Sequence, residues 1–328
     1  MSDLSLPPLD PGSGRWPGRE VDLDGQRVYV RSTPPLPQTD GQAAEPALFV
    51  HGLGGASTNW ADLSGQLRGR LAAEALDLPG FGRSVPSPAR DYEPAALAGT
   101  VIRYLERSGR GAVHLAGNSM GGTVAILVAS RRPDLVRTLT LVSPAVPDIR
   151  LRLYPVRYNP RMALMAVPGL AVPAVRRGAT RITPEQIVRG TIALCFADPT
   201  RYPPQRLAES IADARERAGL PWAAEALVRA GRGLARLGLR AAPQFWAQLG
   251  KIEAPTLVLW GDADRLVSPD LAPAVAAAIP DSRLLVLEHI GHVAMMEDPV
   301  TTARAVLGFL DDAGRTPTGA PTGVSAPR

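Results

Sequence analysis

The stretch Val113-His-Leu-Ala-Gly-Asn-Ser-Met-Gly-Gly122 decides the reading of this chain. A short apolar run ends in G-x-S-x-G (Gly117, Ser119, Gly121), and a helix-forming stretch follows at 123–130. A serine on so sharp a strand-to-helix turn is held in a strained backbone conformation. Larger residues at the flanking positions would clash. The turn lifts the Ser119 hydroxyl above the strand end, at a helix N-terminus whose backbone N–H groups face developing negative charge. A bare G-x-S-x-G arises often by chance; the strand before it and the helix after it supply the context.

A serine hydroxyl needs a base to take its proton, and the chain has four histidines: His51, His114, His289 and His292. The base must reach the serine from a loop after a later strand. His292 fits, in Glu288-His-Ile-Gly-His-Val-Ala-Met-Met-Glu-Asp-Pro299, where the preceding glycine permits a tight loop; His289 is its competitor. His114 lies mid-strand and reads as a packed core residue. His51 precedes a glycine-rich turn and reads as its brace. The orienting acid is sought in Leu259-Trp-Gly-Asp-Ala-Asp-Arg-Leu-Val267, which offers Asp262 and Asp264. With one cysteine and no histidine beside them, these carboxylates make a poor metal site, and no metal or cofactor is expected.

Working outward, short apolar runs near 26–31, 47–50, 71–76, 112–116, 138–142, 256–260 and 284–287 alternate with helical patterns at 92–108, 121–131, 269–278 and 300–310. Val21–Leu23 pairs with the 26–31 run across Asp24-Gly25, a hairpin signal. Strands that read as apolar throughout are expected to be buried on both faces. The pattern predicts an α/β fold with a mostly parallel, roughly eight-stranded sheet and helices on both faces. Residues 148–250 interrupt the alternation with helical stretches at 183–197, 206–218, 223–237 and 243–249. They read as a helical cap inserted before the acid-bearing strand. The expected division is an N-terminal arm (1–19), a first core part (20–147), the cap (148–250), a second core part (251–312) and a disordered tail (313–328).

The order Ser119, Asp264, His292 on this background resembles the α/β-hydrolase superfamily, in its serine hydrolase branch. Further segments carry the resemblance. His51-Gly-Leu-Gly-Gly-Ala-Ser-Thr-Asn-Trp60 is similar to the family's oxyanion loop, and Asp77-Leu-Pro-Gly-Phe-Gly-Arg-Ser84 to the loop after its fourth strand. Gly261-Asp-Ala-Asp264 matches its acid loop, which ranks Asp264 above Asp262, and Gly291-His292 matches its G-H. The resemblance implies Ser119 as nucleophile, Asp264 as orienting acid and His292 as general base and acid. It implies an oxyanion hole from the backbone N–H groups of Leu53 and Met120, with His51, Gly52, Gly117 and Gly121 supporting the turns; the side chains of Leu53 and Met120 are then free to line an acyl pocket. The implied reaction is transfer of an acyl group to water, and the expected partner is a small-molecule ester. A carboxylesterase or lipase-like activity ranks first. Next comes a carbon–carbon bond hydrolase of ring-fission products, whose elbow is similar but which often carries an aromatic residue where this chain has Val293. Thioesterase, lactonase and perhydrolase follow. A different class is a non-catalytic small-ligand binder on the same fold.

Composition narrows the rest. The 328 residues are 45% hydrophobic and 20% charged, as in an ordinary globular chain. The single cysteine, Cys195, excludes an internal disulfide and a cysteine zinc site, and its apolar helical setting makes it a small buried residue. Residues 1–14 carry neither a basic nor an apolar leader segment, so a cytoplasmic protein is expected. Met162–Val175 is broken by Pro168 and Pro173 and is too short to span a bilayer. With Trp222, Phe245 and Trp246 it suits an apolar ligand, or else packs the cap onto the core.

The net charge is +5, but it is unevenly placed. Residues 151–240 hold 15 arginines against six acids, a balance of +9, so the remainder stands at −4. No basic groove with interleaved aromatics lies on the core, and nucleic acid is not expected as a partner. The basic insertion either draws an anionic substrate, an acidic carrier or an anionic membrane surface, or is a solvated arginine-rich helical face. Oligomeric state is not legible.

Overall fold

The computed structural model describes residues 6–10, 12–13, 16–34, 36, 43–148 and 170–315. Eight strands form one sheet: β1 (Gly18–Leu23), β2 (Gln26–Ser32), β3 (Glu45–Val50), β4 (Leu71–Leu76), β5 (Val113–Asn118), β6 (Val136–Val142), β7 (Thr256–Gly261) and β8 (Ser282–Leu287). Their order is β1-β2-β4-β3-β5-β6-β7-β8. The hairpin β1–β2 runs antiparallel and joins β4 antiparallel; every other pairing is parallel.

The helices divide over the two faces because alternate side chains of each central strand point opposite ways. Leu48 and Val50 of β3, Leu115 of β5 and Val258 and Trp260 of β7 share one apolar cluster with α2 (Pro94–Ser108) and α3 (Met120–Arg131). Ala47 and Phe49, Ala116, and Leu257 and Leu259 of the same strands join the opposite cluster. There they meet α1 (Ala61–Leu67) and the C-terminal helix Pro299–Arg315. Strands buried on both faces thus carry continuous apolar runs, as parallel sheets require. β8 departs from that expectation. It pairs with β7 alone, and Leu284, Leu285 and Val286 are 37–42% exposed.

Between β6 and β7 the described residues form α4 (Ala171–Arg181), α5 (Pro184–Cys195), α6 (Pro204–Ala218), α7 (Ala223–Arg240) and α8 (Ala242–Leu249), with no strand. α5 starts where its sequence dictates: Thr183 accepts from the Gln186 N–H, the Gln186 side chain answers the Thr183 N–H, and Pro184 takes the first position. The sequence reading missed α4, because Pro173 was taken as a break. It sits in the helix's first turn, where no intrahelical N–H bond is lost. Residues 162–169 of the apolar run lie outside the described residues. Helix α11 (Pro299–Arg315) continues past 312, where a tail was expected to start; residues 316–328 lie outside the described residues. After α8 come α9 (Ala272–Ala278) and α10 (Ala294–Glu297). Among the described residues, no helix is long and apolar enough to cross a membrane.

Candidate active site

Four loops at the C-terminal ends of β3, β5, β7 and β8 converge, the edge at which open α/β sheets bind ligands. Ser119 joins β5 directly to α3 and holds φ +54°, ψ −119°, outside the ordinary regions for an L-residue. The flanking glycines are needed for closeness: a Cβ on Gly121 would lie 2.2 Å from the Val50 carbonyl oxygen, and one on Gly117 would lie 2.3 Å from that of Gly121.

Asp264 and His292 meet across the ends of β7 and β8. His292 Nδ1 lies 2.7 Å from Asp264 Oδ2, and both side chains are almost wholly buried. The other carboxylate oxygen, Oδ1, accepts from the Leu266 and Val267 N–H groups at 2.7 and 3.0 Å. A carboxylate so held keeps Nδ1 protonated and leaves the lone pair on Nε2. The competitors stand apart: Asp262 and His289 are exposed.

The β3 loop runs beside the serine. A Cβ on Gly52 would come within 3.2 Å of the Ser119 Cβ. The turn 52–55 is closed by the Gly55 N–H on the Gly52 carbonyl at 3.0 Å, with Gly54 at φ +73°. His51 braces this turn from beneath. Its Nδ1 bonds the Gly52 carbonyl at 2.7 Å and its Nε2 accepts from the Leu78 N–H at 3.0 Å. Burial holds this imidazole below its ordinary value, so it is neutral. Asp77 takes the N–H groups of Ser57 and Arg83, tying the fourth-strand loop to the same turn. Met120 opens α3, so its N–H has no partner one turn back in the helix. Its side chain, however, is fully buried in the core and lines no acyl pocket; Leu53 does face the cavity.

Two residues that sequence reasoning passed over fix the His292 loop. Asn118, inside the elbow motif, donates from Nδ2 to the carbonyls of Val142 and His292, each at 3.0 Å. Glu297 is buried, and its Oε2 accepts from the N–H groups of Gly291 and Ala197 at 2.7 and 3.1 Å while Oε1 takes that of Asp198 at 2.9 Å. Its signal lay in the quoted segment: an acid five residues after a histidine, at the end of the apolar run 293–296, with no other task. His114 is the packed histidine expected of it, bonded to Thr138 Oγ1 and Glu45 Oε2 at 2.8 and 2.9 Å.

Ser119 and His292 open into one cavity of about 1260 Å³, walled on the far side by Val188, Ile192, Phe196 and Leu227 of the helical segment. Cys195 lines it and is half-buried rather than fully buried; burial pushes its thiol up to about 12, so it is no nucleophile at neutral pH. Phe245 and Trp246 pack on the core instead of facing a ligand, and the Trp246 indole N–H donates to the Pro147 carbonyl at 3.0 Å.

The model of the "Alpha/beta hydrolase family" matches residues 47–305. The chain is 31% identical to the dihydrolipoyllysine-residue acetyltransferase component of the acetoin cleaving system of Cupriavidus necator, over 84% of this chain and 64% of that one. This chain therefore spans less than two thirds of that relative. It is 30% identical to 2-hydroxy-6-oxononadienedioate/2-hydroxy-6-oxononatrienedioate hydrolase 2 of Pseudomonas putida, over 89% and 94% of the two chains. Among solved structures, a membrane phospholipase A described as a bacterial virulence factor matches with a TM-score of 0.70 and 26% identity, over 93% and 89% of the two chains.

Proposed function

The chain belongs to the alpha/beta hydrolase family, and on that footing we propose that it is a serine hydrolase that cleaves a carboxylic ester through an acyl-enzyme intermediate. One observation carries the reading. Ser119 is held in a strained conformation on the wall of a cavity shared with His292, whose Nδ1 lies 2.7 Å from Asp264. In this mechanism Ser119 Oγ attacks the ester carbonyl carbon as His292 Nε2 takes its proton. The N–H groups of Leu53 and Met120 hold the oxyanion. His292 returns the proton to the departing alcohol, then activates the water that releases the acid, while Asp264 keeps the ring in one tautomer. No metal or cofactor enters these steps. The helical segment over the cavity acts as a cap, and its apolar wall suits an acyl chain.

Labelling with a fluorophosphonate, followed by mapping of the adduct, tests the assignment. The expected adduct is on Ser119, and Ser119→Ala is expected to abolish turnover of p-nitrophenyl butyrate. A label elsewhere, or none on the folded protein, overturns it.

A second reading rests on the match to nearly the full length of a hydrolase whose name records a keto-dioate substrate. If this chain is a carbon–carbon bond hydrolase, it will bleach a ring-fission dienol faster than it cleaves any simple ester.

A further inference from the structure

Arg217 stands out among the charged side chains of the cavity. It lies in the last turn of α6 and lines the cavity that holds Ser119 and His292. Its Nη1 donates to the carbonyl of Gly54, two residues from the glycine that abuts Ser119. Among the described residues no carboxylate lies within 4.0 Å of its guanidinium nitrogens. The acids nearest in effect are Asp77 and Asp213. Asp77 is committed to two backbone N–H groups, and Asp213 accepts from the Thr58 hydroxyl at 3.2 Å.

A guanidinium is a permanent cation with five donors in a planar fork. Arg217 is half-buried, and burial pulls it below its ordinary value against the attraction of those two acids. The Gly54 carbonyl answers one of its N–H groups, and the side chain is among those that line the cavity. Among the described residues, three arginines, Arg176, Arg217 and Arg232, and two acids, Asp148 and Asp213, line an otherwise mostly apolar cavity. Part of the positive charge found in this stretch of sequence therefore reaches the cavity, with Arg217 at the turn carrying the proposed Leu53 donor.

We propose that Arg217 is an anion subsite of this cavity and that the substrate is an ester carrying a second, ionised carboxylate. The proposal rests on the ester-hydrolase reading. The carboxylate is held by two parallel N–H···O bonds, which positions the ester carbonyl against Ser119 by fixing the far end of the molecule.

The test compares mono-p-nitrophenyl esters of C4 to C8 dicarboxylic acids with neutral p-nitrophenyl esters of equal length. Butyrate esters of hydroxy acids, followed by proton release, cover a carboxylate on the alcohol side. In one of these series kcat/KM for the anionic ester is expected to exceed that for its neutral counterpart. Arg217→Gln is expected to lower that ratio at least tenfold, and Arg217→Lys to lower it less. Arg215→Gln, an exposed change on the same helix, leaves the ratio where it was. A ratio that Arg217→Gln does not move overturns the proposal. So does a wild type that prefers neutral esters at every length in both series. Calorimetric binding of disodium adipate and suberate to the Ser119→Ala protein reads the subsite without turnover. Binding weakened at least tenfold by Arg217→Gln supports it even if no ester is cleaved, in which case the hydrolase reading alone has failed; absence of binding to either dicarboxylate together with absence of anion preference overturns it.

Discussion

The backbone N–H of His292 donates to the carbonyl of Cys195 at 2.6 Å, so the main chain of the candidate base is fastened to the end of α5. The contact joins a residue after β8 to one almost a hundred positions earlier in the helical segment. It makes the helices over the cavity part of what holds the imidazole, in addition to being a wall for substrate.

Gly291→Ala follows directly from that contact. A Cβ there would sit 2.2 Å from the Cys195 carbonyl oxygen and 2.8 Å from the Ala197 nitrogen. Both are backbone atoms, which cannot swing aside, so the loop or the helix end must shift. Displacement of the base by about 1 Å costs about 100-fold in rate. The expected outcome is a kcat lower by about that factor in a protein with native circular dichroism. Retained kcat would show that the two segments move apart freely.

Glu297→Gln probes the same junction from the carboxylate side. Three backbone N–H groups converge on one buried carboxylate, and an amide replaces one accepting oxygen by a donor that faces an N–H. Leaving a buried donor unmet costs about 1–3 kcal/mol. Urea unfolding should show a loss in that range with an unchanged m-value. A loss under about 0.5 kcal/mol would mean that the junction is solvated.

Asn118→Ala removes the bonds to Val142 and His292 without touching Ser119, Asp264 or the imidazole. The loss falls on geometry in the transition state and not on substrate affinity. kcat is expected to fall about tenfold with KM little changed. An equal fall in kcat/KM carried wholly by KM would assign Asn118 to the pocket instead.

The sheet and the three candidate catalytic positions were legible because each is local. Val113–Asn118 reads as a buried strand from its apolar run, and the glycines at 117 and 121 mark a turn too tight for a Cβ. Asn118 was not legible, since its partner His292 lies 174 positions away and nothing in local pattern distinguishes it from a surface polar residue; the apolar run before Glu297 signals burial, but its partner Ala197 lies 100 positions away. Met120 misled for a related reason. Its neighbour faces the cavity, and only the helix phase sends its own side chain into the core. The exposure of β8 depends on which strand ends up at the sheet edge, a property of topology that no single strand encodes.

Acid should weaken the fold through His114. Burial holds this imidazole below the ordinary value of 6.5, although Glu45 lies 2.9 Å from its Nε2. Burial works to raise Glu45 as well, but His114, Arg70 and Arg137 together hold it below its usual 4.5. Because the folded His114 value lies below the unfolded one, the unfolded chain takes up more protons as pH falls. The stability from the neutral ring is complete above about pH 6.5 and is lost as pH drops through the folded value. Buried His51 acts in the same direction. Tm is expected to fall between pH 7 and pH 5, and His114→Gln to flatten that slope. A parallel slope in the variant would shift the whole effect to other groups.

Gly190→Ala should do the reverse of Gly291→Ala. Gly190 sits inside α5, exposed, and an added Cβ meets nothing within 4 Å. In a helix interior alanine is favoured over glycine by about 0.5–1 kcal/mol, because glycine loses more backbone freedom on folding. α5 ends at Cys195, whose carbonyl holds His292, so stiffening this helix stiffens the anchor of the base. The expected result is a Tm higher by about 1–3 °C, with slower amide exchange at both 190–195 and 291–293. Slower exchange confined to α5 would uncouple the helix from the histidine loop and count against the shared anchor.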